Sequence, residues 1–418
     1  MKNLIVITLT LFAGLLNAST YDEALDLYQE QQYQEAMAIA LPLAEQGDMD
    51  AQYMLAWMYD KGEGVEIDSQ QAFFWYEKAA EQGDARAQNT VGYLYDNGKG
   101  VEKSNVLAME WYQKAAAQES ATAYYNIANH YSNGLSVEKD ETKAFEWYLK
   151  SAQKGDSDAQ YKVAYYYDNG LGISENMFEA VNWYFRAADQ DHAMAHNNLG
   201  VMYDSGRGIQ ENDELAFKHY LKASEIGGSD RADYNVANSY EYGEGVEQNY
   251  VKAAEYYKKA IDNGYVDAIN SLALLYESGK GVEKNQRKAN ELFEEGISHG
   301  DPYAHYNLGY SYYNGNGVQS SLKKAFELWL FSAEKGHKES QYNVGTMYEE
   351  GEYVSRNINK AFTWYFKAAK ADNPDAQLRL ARMYRDGVGV KKDSKKYQHW
   401  LIKAAENGNQ EAKKELDP

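Results

Sequence analysis

The chain has no cysteine, few prolines and too little positive charge to balance its acids. Without cysteine there is neither a disulfide framework nor a thiolate metal site. Lysine and arginine number 42 against 63 acidic residues, giving a formal charge of −21. Such a surface is poorly suited to nucleic acid or anionic lipid and better suited to basic or neutral partners. Two of the four prolines stand at Asp301-Pro302 and Asn373-Pro374, just inside expected helix starts, where the missing N–H costs nothing. Pro42 falls inside an expected helix and predicts a kink there.

Long apolar runs are missing beyond the N-terminus, so no later segment is expected to cross a membrane. Met1-Lys2 gives a positive start, and Leu4 to Leu16 is apolar apart from Thr8, Thr10 and Gly14. Asn17-Ala18-Ser19 then supplies small residues for cleavage after Ala18. The run is short against the roughly 20 residues of a bilayer span. The reading is a bacterial-type signal peptide over 1–18, with a periplasmic or secreted product.

What the chain does have is repetition. A tyrosine followed by a glycine loop recurs at Tyr59, Tyr95, Tyr131, Tyr167, Tyr203, Tyr240, Tyr276, Tyr312, Tyr348 and Tyr384. Successive tyrosines stand 36 residues apart, except for one step of 37 at an extra residue in Gly227-Gly228. That insertion is a candidate hinge, or a change of pitch dividing the array into halves of five. A period of this size means one supersecondary unit stacked on itself.

Within one unit, Ala51, Leu55, Met58 and Tyr59 share a helical face, Gly62 and Gly64 break the helix, and Ala72, Trp75, Tyr76, Ala79 and Ala80 form a second face. Asp48, Asp84, Asp156 and Asp301 are placed to cap the first helices. Starts fall near 51, 87, 123, 159, 195, 232, 268, 304, 340 and 376. Residues 19–48 read as an extra capping helix pair opened by Thr20-Tyr21-Asp22-Glu23, 49–408 as the ten repeats, and 409–418 as a C-terminal capping helix.

These residues resemble the Sel1-like repeat family, relatives of the tetratricopeptide repeat. The pattern A-x-x-x-L-G-x-x-Y-x-x-G-x-G-V, with A-x-x-W-Y-x-K-A-A after it, is met closely at Ala195 to Tyr203, Ala304 to Val318 and Ala361 to Ala369. Ser136 and Tyr353 depart from it at the second glycine. The resemblance implies an all-α, right-handed α/α superhelix that scaffolds protein complexes. Its cysteine-rich branch, linked to β-lactam chemistry, pairs cysteines that this chain lacks.

No constellation for catalysis emerges. The glycine loops follow helices rather than strands, unlike phosphate loops. Ser-x-x-Lys pairs such as Ser136-Lys139 lack the companion motifs of an acyl-enzyme. His192 and His196 have the i, i+4 spacing of two metal ligands, but both occupy ordinary repeat positions, and neither a metal nor any cofactor is expected. Rows created by the period are more informative. If first helices line a concave face, as in the tetratricopeptide relatives, Tyr53, Tyr125, Tyr161, Tyr234, Tyr306 and Tyr342 look into it beside Asn126, Asn198, Asn235, Asn307 and Asn343. Asparagine amides there can hold a peptide backbone, and tyrosines offer apolar area with a hydroxyl. Equally, both can satisfy neighbouring helices. Asp60, Asp96, Asp168, Asp204, Glu241, Glu277 and Glu349 stand in the last turn of first helices, where the helix dipole disfavours negative charge. They can accept bonds from loop amides or form an acidic stripe for a basic partner. The lysine row near second-helix ends, with Lys114, Lys150 and Lys367, reads as solvated.

The function expected is a non-enzymatic, exported scaffold binding protein or peptide along the concave face. The alternatives are a carbohydrate-binding envelope factor, with tyrosines stacking on sugars, and a hydrolase.

Overall fold

The computed structural model describes residues 20–227 and 229–416, so the expected signal over 1–18 lies outside the described residues. Within them the protein is built of 23 helices and no strand. Two helices, Tyr21–Gln29 and Tyr33–Glu45, precede ten helix pairs, and Gln410–Leu416 follows them. Thr20 caps the first, accepting from the Glu23 N–H at 3.4 Å. The helix Tyr33–Glu45 continues through Pro42, which lies in its last turn.

Most pairs are punctuated by the same chemistry, although Asp267–Ser278 opens without a side-chain cap. In the first repeat, Asp48 accepts from the Ala51 N–H at 2.8 Å, opening Met49–Lys61, and Gly62 closes it at φ 73°. The Asp68 N–H returns to the Tyr59 carbonyl at 3.0 Å while the Asp68 side chain caps Ser69–Glu81. Loop and second-helix start are thereby clamped together, and the bond recurs in every repeat, through Ser104 to Tyr95 and on to Asp393 to Tyr384. The second glycine has a further reason: a Cβ on Gly100 would stand 1.9 Å from the Ser69 carbonyl of the preceding repeat. That glycine lets one repeat's loop sit on its neighbour's second helix. Tyr353, which replaces it in the ninth repeat, keeps the left-handed backbone at φ 60°.

The core lies between helix layers. Tyr76, Tyr112, Tyr148, Tyr184 and Tyr257 of the second helices are fully buried among alanines that let the backbones approach. Buried glutamines tie one repeat to the next. Gln52 Nε2 donates to the Ala44 carbonyl at 3.0 Å, and its Oε1 accepts from Gln82 at 2.8 Å; Gln88 with Gln118 and Gln160 with Gln190 repeat the arrangement.

Two compact units divide the chain, one through His192 and one from Ala193 onward. The division follows the fourth repeat rather than the insertion. The extra residue is absorbed locally: the helix Asp213–Ile226 has 14 residues instead of 13, and Gly227 follows at φ 84°.

Candidate functional site

The tyrosine, asparagine and acidic rows named from the sequence lie on first helices, but their side chains divide between packing and surface. The six tyrosines are half-buried. Tyr53 meets the second-helix Tyr76 edge-on at 5.3 Å, and Tyr125, Tyr161, Tyr234 and Tyr342 approach Tyr148, Tyr184, Tyr257 and Tyr365 at 5.5 to 5.8 Å. One ring face belongs to the core and the rest to the surface.

The asparagines are largely occupied with one another. Asn126 donates to Asn89, Asn235 to Asn197 and Asn307 to Asn270, each at 2.9 Å. In all three cases an asparagine two residues after one repeat start meets one three residues after the next. Each donor keeps a second N–H and its own carbonyl oxygen. Asn198 lies against Asn197, and Asn343 lines a cavity among tyrosines.

Several side chains of the acidic row have partners within the chain. These partners include second-helix tyrosines sixteen residues on, other residues of the same repeat and residues of the next one. Tyr112 donates to Asp96 at 2.9 Å, Tyr184 to Asp168 at 3.3 Å, Tyr257 to Glu241 at 2.6 Å and Tyr365 to Glu349 at 2.9 Å. His130 also meets Asp96, at 2.8 Å, and Gln286 donates to Glu277 at 3.1 Å. Burial would raise the Asp60 carboxyl, but bonds from Lys99 and Lys61 outweigh it and hold it below the usual range. Glu349 is likewise held down against burial, by Arg379 and Tyr365. Asp204 behaves oppositely: burial, with Asp213 and Glu211 nearby, pushes it up. Asp96, Asp168, Glu241 and Glu349 thus accept buried tyrosine hydroxyls, which offsets the opposing helix dipole at those four positions.

Sequence reasoning missed a set of exposed large side chains on the first helices. Six residues after the repeat start stand Trp57, Tyr93, Tyr165, Leu274 and Tyr310, between 38% and 53% exposed. They lie one helical turn beyond the tyrosine row, on the same face. The signal was present: a large aromatic recurs at a position the repeat pattern leaves open. Lys114, Lys150 and Lys367 of the lysine row are exposed, as expected, and each also rests over a tryptophan. Lys114 lies 3.5 Å over Trp111, Lys150 3.8 Å over Trp147 and Lys367 4.1 Å over Trp364.

The sequence model of the Sel1 repeat matches ten consecutive segments, residues 50–84, 85–120, 121–156, 157–192, 193–228, 230–265, 266–301, 302–337, 338–373 and 374–409. The chain belongs to the Sel1 repeat family. Among solved structures, it is similar to c5321, described as a protective antigen present in uropathogenic Escherichia coli strains and displaying the same repeat fold. The TM-score is 0.81 at 29% identity, over 95% of this chain and 88% of that one. A Sel1 repeat protein from Oxalobacter formigenes superposes with a TM-score of 0.60 at 29% identity, over 74% of this chain and 90% of its own. A search of curated proteins found no match.

Sel1 repeat positions also absorb the two histidines of the i, i+4 pair, which have different partners. His192 stacks on Tyr161 at 4.7 Å and reaches Asp158 at 3.2 Å. His196 Nδ1 lies 3.0 Å from His219 Nδ1. Among the described residues, no group of three or more histidine and acidic side chains is arranged to hold a metal ion, and no helix is long and apolar enough to cross a membrane.

Proposed function

We propose that this Sel1 repeat protein is an exported, non-enzymatic scaffold that binds protein or peptide partners on the face formed by its first helices. The observation that carries the reading is the exposed row of Trp57, Tyr93, Tyr165 and Tyr310 beside half-buried tyrosines. Large aromatics standing in water are the anchors on which protein interfaces concentrate their affinity. The asparagines' remaining N–H and carbonyl groups lie beside them and suit a polypeptide backbone. Net negative charge favours a partner with basic segments.

A photo-crosslinking residue at position 93 tests this in cells. The expected result is a discrete crosslinked protein, absent when the same residue replaces Phe178, exposed on a second helix. Equal yields at both positions count against the proposal. So does saturable binding of envelope polysaccharide that alters the fluorescence of the same tyrosines, since that outcome favours the carbohydrate reading.

A further inference from the structure

The eighth repeat departs from the pairing of a second-helix tyrosine with a first-helix acid seen at Tyr112, Tyr184, Tyr257 and Tyr365. Trp329 takes the tyrosine's place and Tyr313 takes the acid's. Trp329 is 3% exposed, and its Nε1 donates to the Tyr306 carbonyl at 3.1 Å, so the indole is fixed. Tyr313 lies against it at 5.2 Å between ring centroids. With Tyr306 and Tyr310 from the same repeat and Tyr342 from the next, these rings enclose a cavity of about 180 Å³, bordered by Glu352. Tyr310 is 48% and Tyr313 38% exposed, so the cavity opens to solvent.

Rings elsewhere in the chain are covered by its own cations: lysines or arginines sit over Trp57, Trp111, Trp147, Trp183 and Trp364 at 3.5 to 4.8 Å. Among the described residues none covers the five rings of this cavity. The Glu352 carboxylate accepts from the Tyr313 hydroxyl at 3.3 Å and forms no ion pair with a lysine or arginine there. Glu350 and Glu352 both act on Tyr313 and Glu339 acts on Tyr306, while Asp375 and Glu349 act on Tyr342 against the single opposing guanidinium of Arg379, so acids outnumber cations around the rings. His337, 4.7 Å from Tyr306, adds no opposing charge near neutral pH, because burial lowers its pKa. Electron-rich ring faces, a carboxylate at the rim and a small volume together match a compact organic cation.

We infer that the Tyr306–Tyr310–Tyr313–Trp329–Tyr342 cavity is a cage for a lysine or arginine side chain of a polypeptide partner. This rests on the reading that first helices carry the binding face, and it names the group received there. Fluorotryptophan labelling of the full chain gives each tryptophan its own fluorine NMR resonance, with Trp329→Phe assigning the one needed. The probes are capped Gly-Arg-Gly and Gly-Lys-Gly peptides, against citrulline and norleucine versions of the same length. The expected result is a saturable shift of the Trp329 resonance with the charged peptides only. Tyr310→Ala and Glu352→Gln should each weaken it roughly five- to tenfold. Both residues reach the surface, and the other tryptophan resonances report that the variants fold. An immobile Trp329 resonance, or an equal response to the neutral peptides, overturns the cage. Neither outcome touches Trp57, Tyr93 and Tyr165, so failure of the cage is distinct from failure of the binding face.

Discussion

At the scale of single residues, the chain solves a local conflict by pairing. A tyrosine hydroxyl buried between helices needs an acceptor, and a carboxylate at a helix C-terminus needs a donor. Tyr112 and Asp96 satisfy both needs in one bond of 2.9 Å. Tyr112→Phe should therefore lower stability by about 1 kcal/mol, the usual cost of one lost bond. Tyr112→Ala should cost about 3 to 5 kcal/mol because it also opens a cavity. Calorimetric unfolding of the two variants checks the ratio. His219 supplies a pH test. Burial and the neighbouring His196 push its pKa down to about 4, against about 6.5 for a free histidine. The folded chain holds the ring neutral, so this stabilisation is complete above pH 6.5 and is lost as pH falls toward 4. His219→Asn should flatten the fall in melting temperature across that window; an unchanged slope contradicts the assignment.

At the scale of elements, the loop glycines separate two effects. Gly83 and Gly100 both have positive φ, 105° and 73°, but a Cβ on Gly83 meets nothing within 4 Å whereas one on Gly100 strikes the Ser69 carbonyl. Gly83→Ala should cost about 1 kcal/mol from the backbone alone, and Gly100→Ala at least about 2 kcal/mol. Thermal unfolding of the two proteins decides it, and equal costs would remove the inter-repeat contact from the account. The Asn89–Asn126 bond joins first helices of adjacent repeats. A double-mutant cycle to alanine should return a coupling of about 0.5 to 1.5 kcal/mol. Element positions were legible in the sequence because their signals are local: the glycine after each tyrosine, the acid before each first helix, the alanines at helical spacing. The tyrosine partners of the acidic row were not legible for the opposite reason: they lie sixteen residues on, and no local rule links Asp96 to Tyr112. The tyrosine and asparagine rows were legible as rows, but their division between core and surface depends on how adjacent pairs pack. Trp57 and Tyr93 were overlooked because they stand where the repeat pattern is silent.

At the scale of the whole molecule, side-chain bonds such as Asn89–Asn126 and Asn270–Asn307 join adjacent repeats within each compact unit. Stability is then a sum of unit and interface terms, and the exposed residues are free to specify partners. Trp57, Tyr93 and Tyr165 contribute little to the core, so replacing them should change binding far more than folding. The most direct test compares two triple variants of the full chain in quantitative affinity capture from envelope extracts. Trp57→Ala/Tyr93→Ala/Tyr165→Ala should reduce recovery of the specific partner at least tenfold, roughly the loss of one strong anchor. Phe74→Ala/Phe178→Ala/Phe366→Ala, which removes exposed rings of second helices, should leave it unchanged. Equal recovery by both variants, or loss only with the second, would contradict a partner-binding face on the first helices.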